Sequence, residues 1–311
     1  TATVEIIRDT WSIPHIFAQT AEGAFFGLGY ATAEDRMFQM EYSRRIVQGR
    51  MSEIIGQTGV ESDKLWRTLG WYRIAREVES NLDLETFSLL WAYAAGVNYY
   101  LESHSDSLLY LFDVYGVTPE PWTVADSIAC WYRISFPFSG IENQEVSNFH
   151  RFEELVQEVG WEEAIRQMTP VQIIDESGAI VQQEDMDPQL IAEIEQYAIE
   201  HGYDSNETGF SISDSIASKC SHAWVVGGER STTGSAILHS DPQILISAPP
   251  LWYEFHISGG DFDVRGIGFA GAPGMLIGWN RNIAWGATAA GADLSDLFKL
   301  QINPLNPNQY Y

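Results

Sequence analysis

Few residues of this 311-residue chain have the types and spacing that chemistry needs. Asp293 and Asp296 stand three apart in a Gly- and Ala-rich segment, which places two carboxylates in one turn. Ca²⁺ takes six to eight oxygens, carboxylates and backbone carbonyls among them, although paired Asp residues are also ordinary turn formers. Ser221 stands one residue, His222, before an apolar run, AWVV. A serine there is ordinarily a turn residue or cap, and its hydroxyl is a poor nucleophile without a base beside it. The two cysteines, Cys130 and Cys220, are too few for a disulfide framework or a zinc site. Cys130, within IACWY, reads as a small buried side chain on a helix. No pair of carboxylates has the context of a glycosidase cleft, although acidic, Trp-rich chains often bind sugars.

The elements that position these residues change character along the chain. Val4–Arg8 and Pro14–Ala18 are β-rich runs around a turn and predict a hairpin. The pattern is helical from about Thr20 to Ile55, punctuated by Gly49 and Gly56. Leu84 to Ser103 predicts a helix with Asp83 as N-cap and Leu89, Leu90, Ala94 and Val97 on one face. Thr123 caps a helix that carries Asp126 in its first turn. Further helices are expected from Asn143 to Gln157 and from Trp161 to Met168. From Gln182 to Cys220 there are nine acidic residues and one Lys, and the plain reading is a solvated linker. After Ala223 the period becomes two: AWVVGG, SAILHS, WYEFHIS, FDVRGIGF, MLIGW, IAWGAT and LFKLQ are short strands between turns. Helices first and strands afterwards predict an α+β architecture.

Composition bounds the function. With 43 acidic against 17 basic residues, the formal charge is -26. Such a chain repels phosphates, which excludes nucleic acid as a partner. No run of 18 apolar residues occurs, so no membrane span is expected. The chain opens on a strand-like TATVEIIRD with no visible signal peptide, as in a cytosolic protein or one whose signal has been removed. The strand series reaches Tyr311 without a natural end and reads as part of something longer.

Four segments, in this order, resemble the penicillin acylase family of N-terminal-nucleophile hydrolases. AEDRMFQMEYSRRIVQGRMSEIIG resembles its first long helix, and PEPWTVADS resembles a turn that leads into another helix. SHAWVVGGERSTTGSAILHSDPQ resembles the start of its β-chain. GWNRNIAWGATAAGADLSDLF resembles its oxyanion and calcium region. The likeness covers essentially the whole chain. It implies an αββα sandwich cut from one precursor: an α-chain part over 1–181, a spacer over 182–220 and the N-terminal part of a β-chain over 221–311. It also implies an α/β heterodimer in the periplasm or outside the cell.

The resemblance makes Ser221 the nucleophile. Once the bond before it is cut, its own α-amine, with a pKa of roughly 7.7–8.0, can serve as the base. His222 stands where the family usually has Asn. Cys220 precedes the cut, and cleavage one bond earlier would expose that thiol instead; the spacing to Trp224 favours Ser221. By the same resemblance the Ala289 backbone N–H is an oxyanion donor, and the Gln243 carbonyl holds the free amine. Gln at this position resembles the penicillin G acylase branch, whereas cephalosporin and acyl-homoserine-lactone acylases usually have His. Ile244, Ile277 and Ala287, with Phe138 in the Phe136–Gly140 segment, match the acyl pocket. Benzyl-selective members carry Phe where Ile244 and Ile277 stand, so an alkyl chain is a better expected fit. Glu145, Asp293, Asp296 and the Ser295 carbonyl match a structural calcium site, and no organic cofactor is implied. The expected activity is hydrolysis of a small N-acyl amide, such as a penicillin-like side-chain amide, through an acyl-Ser221 intermediate. An acyl-homoserine-lactone acylase shares that mechanism. A secreted acidic binding module, with neither processing nor an essential Ser221, is the rival of another class.

Overall fold

The computed structural model describes residues 3–108, 110–136, 144–168, 221–244, 247–288, 303–306 and 309. The chain forms two units: Thr1–Gly140 with Ser218–Leu294, and Ile141–Ala217 with Ser295–Tyr311. In the first unit come β1 (Glu5–Arg8), β2 (Pro14–Phe17), α1 (Ala21–Gln48), α2 (Ser52–Ile55), α3 (Val60–Leu69), α4 (Trp71–Glu79), α5 (Leu84–Ser103), α6 (Tyr110–Tyr115) and α7 (Val124–Ser135). After α8 (Gln144–Val159) and α9 (Trp161–Met168) of the second unit, the first resumes. It adds β3 (Ser221–Val226), β4 (Ile237–Pro242), β5 (Trp252–Gly259), β6 (Phe262–Phe269), β7 (Ala272–Trp279) and β8 (Ala284–Trp285). The expected α+β class holds.

Six strands form one sheet in the order β1-β2-β5-β6-β7-β8, and β3 and β4 form a separate ribbon. The hairpin β1–β2 is antiparallel, as its sequence predicts. It then joins β5 in parallel, with His15 opposite His256. Residues from both sides of the long acidic segment therefore share one sheet. Strand alternation explains the sheet's two faces. Tyr253, Phe255 and Ile257 of β5 are buried, while Glu254, His256 and Ser258 between them are half-exposed. The buried set meets Ile16, Ala24, Leu28, Ala31 and Met37 in one apolar core.

Helix α1 starts where the Thr20 hydroxyl accepts the Gly23 N–H at 3.1 Å. It ends at Gly49, whose φ of 65° closes it with a left-handed cap. The helical run expected to Ile55 thus breaks at Gly49. Helices α3 and α4 go beyond the sequence reading, because Gly56, Gly59 and Gly70 cut their periodic signal into pieces. On α5, Asp83 caps the Thr86 N–H at 2.9 Å. Its buried residues are Ala92, Tyr93, Ala94, Gly96, Val97 and Tyr100, so the expected Ala94 and Val97 hold, whereas Leu89 and Leu90 are half-buried. The reason is close packing: a Cβ on Gly96 would collide with the Phe26 carbonyl of α1, and one on Gly29 with the Tyr93 carbonyl. Two glycines let the helix backbones touch. Gly96→Ala is expected to lower stability by about 3 kcal/mol through overpacking, read as a lower urea midpoint with unchanged slope.

Helix α7 has the expected capping box between Thr123 and Asp126. Cys130 is fully buried on it, and burial pushes its thiol up to about 12. That thiol is inert, as its apolar context predicts. Helix α9 has the bounds read from sequence, and α8 begins one residue later and ends two later. The expected strand LFKLQ and the proposed spacer lie outside the described residues.

Candidate functional site

The site builds up from the β3–β4 ribbon. Its six pairs run from Ser221 opposite Pro242 to Val226 opposite Ile237. Val225, Val226, Ile237 and Leu238 supply the β propensity. The turn closes through a short helical segment at Gly228–Arg230 and a left-handed Gly234. Register is held by the Trp224–His239 pair, whose rings stack at 3.8 Å and 13°. A one-residue slip would break that stack and turn Ser221 to the other face. The fixed register puts half-buried Ser221 at the head of β3, opposite Pro242, which Gln243 and Ile244 follow in the chain.

A small polar cluster borders the serine. The Gln243 side-chain amide donates to Asp241 at 2.8 Å and lies 3.2 Å from His222 Nδ1. His222 and Asp241 face each other across the ribbon. His222 is thus tied to the residue expected to hold the amine. Sequence carried no signal for this beyond the alternation that puts 222 and 241 in register.

The segment leaving β8 meets the ribbon. A Cβ on Gly286 would meet the Ser240 Cβ and Oγ at 2.7 Å and Leu238 Cδ1 at 3.6 Å. Only glycine lets that backbone lie so close to β4. Ala287, the next residue, is half-buried. The Ser240 Oγ is buried and has no hydrogen-bond partner among the described residues. Ile277 sits half-buried on β7 opposite Ile267; Ile244, also half-buried, follows β4. The described geometry joins Ser221, Gln243 and Ile244 through the ribbon, and brings Gly286–Ala287 up to it. Ile277 is held by the large sheet.

Ala289, Phe138, Asp293, Ser295, Asp296 and Cys220 lie outside the described residues. Glu145 falls in α8, in the second unit. No described helix is long and apolar enough to cross a membrane.

Comparison with known proteins gives a consistent picture. The family description "Penicillin amidase" matches residues 3–311. The penicillin acylase 2 proenzyme of Pseudomonas sp. (strain SE83) is 30% identical over 96% of this chain and 37% of its own length. The acyl-homoserine lactone acylase QuiP of Pseudomonas aeruginosa is 28% identical over 99% of this chain and 35% of its own. Penicillin G acylase of Escherichia coli is 26% identical over 99% of this chain and 41% of its own. The chain therefore spans about two fifths or less of the length of these relatives.

Proposed function

Because this chain belongs to the penicillin amidase family, we propose that it is the Ser221-bearing part of a self-processing amide hydrolase acting on small N-acyl amides. The observation that carries the reading is the ribbon: Ser221 opens β3 opposite Pro242, the residue before Gln243, and Gly286 packs against Ser240 of β4. In the uncut chain the Ser221 Oγ attacks the Cys220 carbonyl, the peptide bond breaks, and water releases the new carboxyl end. The freed α-amine then takes the Oγ proton as Oγ attacks a substrate carbonyl. It returns that proton to the leaving amine, and water hydrolyses the acyl-serine. The Ala289 N–H stabilises the oxyanion, and the Gln243 carbonyl positions the amine.

Ile244, Ile277, Ala287 and Phe138 line the acyl pocket in this reading. Two isoleucines make an aliphatic wall, which favours linear alkyl acyl groups. That same wall supports an acyl-homoserine-lactone acylase as the second reading, and such acylases are among the similar proteins. The products of the cut form an α/β heterodimer working in the periplasm or outside the cell.

Glu145, Asp293, Asp296 and the Ser295 carbonyl are all hard oxygen donors, a set that suits Ca²⁺. Bound there, calcium neutralises the carboxylates and ties together segments distant in sequence. Removing it with EDTA is expected to lower the melting temperature by several degrees. Added calcium restores the loss and magnesium does not.

The test is intact-mass and N-terminal sequencing of the full-length protein, with acid release measured from phenylacetyl, hexanoyl and dodecanoyl amides. A fragment beginning Ser-His-Ala-Trp with faster alkyl hydrolysis is the expected result. A fragment beginning Cys-Ser-His moves the nucleophile to Cys220. An uncut chain that binds ligands without turnover supports the binding module instead.

A further inference from the structure

The end of the β3–β4 ribbon that carries Ser221 is weakly held by its own backbone. The last pair is Ser221 with Pro242, and proline has no N–H to give to a ladder. Gln243 lies one residue past the end of β4. The antiparallel register would set it opposite residue 220, which a cut before Ser221 detaches. In a cut chain no ladder bond of the ribbon fixes the Gln243 backbone. Its side chain is what ties it down.

Cross-strand partners share a face of the ribbon. Ser221, Pro242 and Ser240 belong to one face, and Gly286 packs there against Ser240. His222 and Asp241 belong to the other, with the Trp224–His239 stack. Gln243 reaches this second face with its side chain. A carboxamide nitrogen has two N–H groups. Gln243 Nε2 gives one to Asp241 Oδ2 at 2.8 Å and the other to His222 Nδ1 at 3.2 Å.

That second bond depends on a proton. The His222 Nδ1 accepts only through its lone pair, so the imidazole is neutral and carries its hydrogen on Nε2. A proton on Nδ1 would set N–H against N–H and break the bond. The imidazolium would then turn to Asp241, its partner across the ribbon, and compete with Gln243 for that carboxylate. Among the described residues, Asp241 and His239 of β4 are the other titratable groups on this face.

We propose, resting on the reading of Ser221 as nucleophile and of Gln243 as the holder of its amine, that His222 is a positioning residue for the reaction. Neutral, it clamps Gln243 from the back of the ribbon and steadies the carbonyl that holds the amine. Protonated, it releases the clamp. Proton uptake by the amine alone gives one acid step in kcat, and proton uptake by His222 adds a second.

The experiment measures kcat and KM of the full-length, cut protein on the fastest-hydrolysed of the three amides. It covers about pH 5–9, a span that includes the imidazole and α-amine ranges. His222→Ala is expected to lower kcat about three- to tenfold at about pH 8, the ordinary effect of losing one hydrogen bond, with KM unchanged. Asn at 222 offers a carbonyl oxygen that accepts the same N–H and does not titrate. His222→Asn should therefore recover most of that loss and show one acid step where the wild type shows two. A His222→Ala enzyme equal to wild type at every pH, a His222→Asn enzyme as slow as His222→Ala, or a second acid step that survives in His222→Asn overturns the proposal. A wild-type chain that is never cut, or is cut and never turns over, sinks the Ser221 reading and this role with it. If His222→Ala fails to fold or to mature, the profile of His222→Asn against wild type decides.

Discussion

Ser221→Ala is expected to yield one uncut polypeptide with the wild-type fold and no measurable amide hydrolysis. In the proposed mechanism the substitution removes the Oγ that makes both the internal cut and the acyl-enzyme. Loss of a serine nucleophile costs on the order of a million-fold in kcat, and here the general base is lost as well, because an uncut chain has no free amine at residue 221. Mass spectrometry reads the first effect and acid release the second. A cut Ser221→Ala chain would sink the assignment, since no other group in the proposed mechanism attacks that carbonyl. In the same mechanism the amine sets the pH profile of the wild-type protein. It acts only when neutral, so activity should fall as pH drops through roughly 7.7–8.0.

The second large effect lies far from the serine. Arg44 and Glu41 on α1 are each 1% exposed. Arg44 is ion-paired with Glu41 and Asp126 and donates to the carbonyls of Pro121 and Glu120 at 3.0 Å. Its guanidinium also lies 5.1 Å from the Trp122 ring. Burial opposes its charge, but the two carboxylates prevail and hold its pKa above the ordinary value. Arg44→Met should cost about 3–5 kcal/mol, because buried Asp126 loses its ion pair and Glu41 keeps only the one to Arg45. Arg44→Lys should rescue little, since an ammonium cannot fork to two carboxylates and two carbonyls. Denaturation midpoints of both variants check this, and a loss below about 1 kcal/mol would show that the network is dispensable.

What sequence revealed follows the range over which each signal acts. The β1–β2 hairpin, the caps at Asp83 and Thr123, and the strands from β3 to β8 depend on neighbours a few residues away, so local pattern displays them. Parallel pairing of β2 with β5 depends on residues 241 apart, and periodicity is silent about it. The packed face of α5 went partly unread for another reason: the pattern weights large apolar residues such as Leu89 and Leu90, while the contact is set by the absence of side chains at Gly29 and Gly96. Within the candidate site, Ser221 and its ribbon partners were legible from the run ending in Asp-Pro-Gln. The tie from Gln243 to His222 was not, since it depends on which side chains rise from the same face at one end of the ribbon.

The shared sheet also has a consequence for recovery from damage. While the chain is continuous, β2 finds β5 by an intramolecular search. After a cut before Ser221, the same pairing must form between two separate molecules, so renaturation becomes second order and fails at high dilution. Maturation would then act as a ratchet: a heat-denatured precursor can return to its fold, whereas the denatured mature enzyme loses its partner to diffusion and stays inactive.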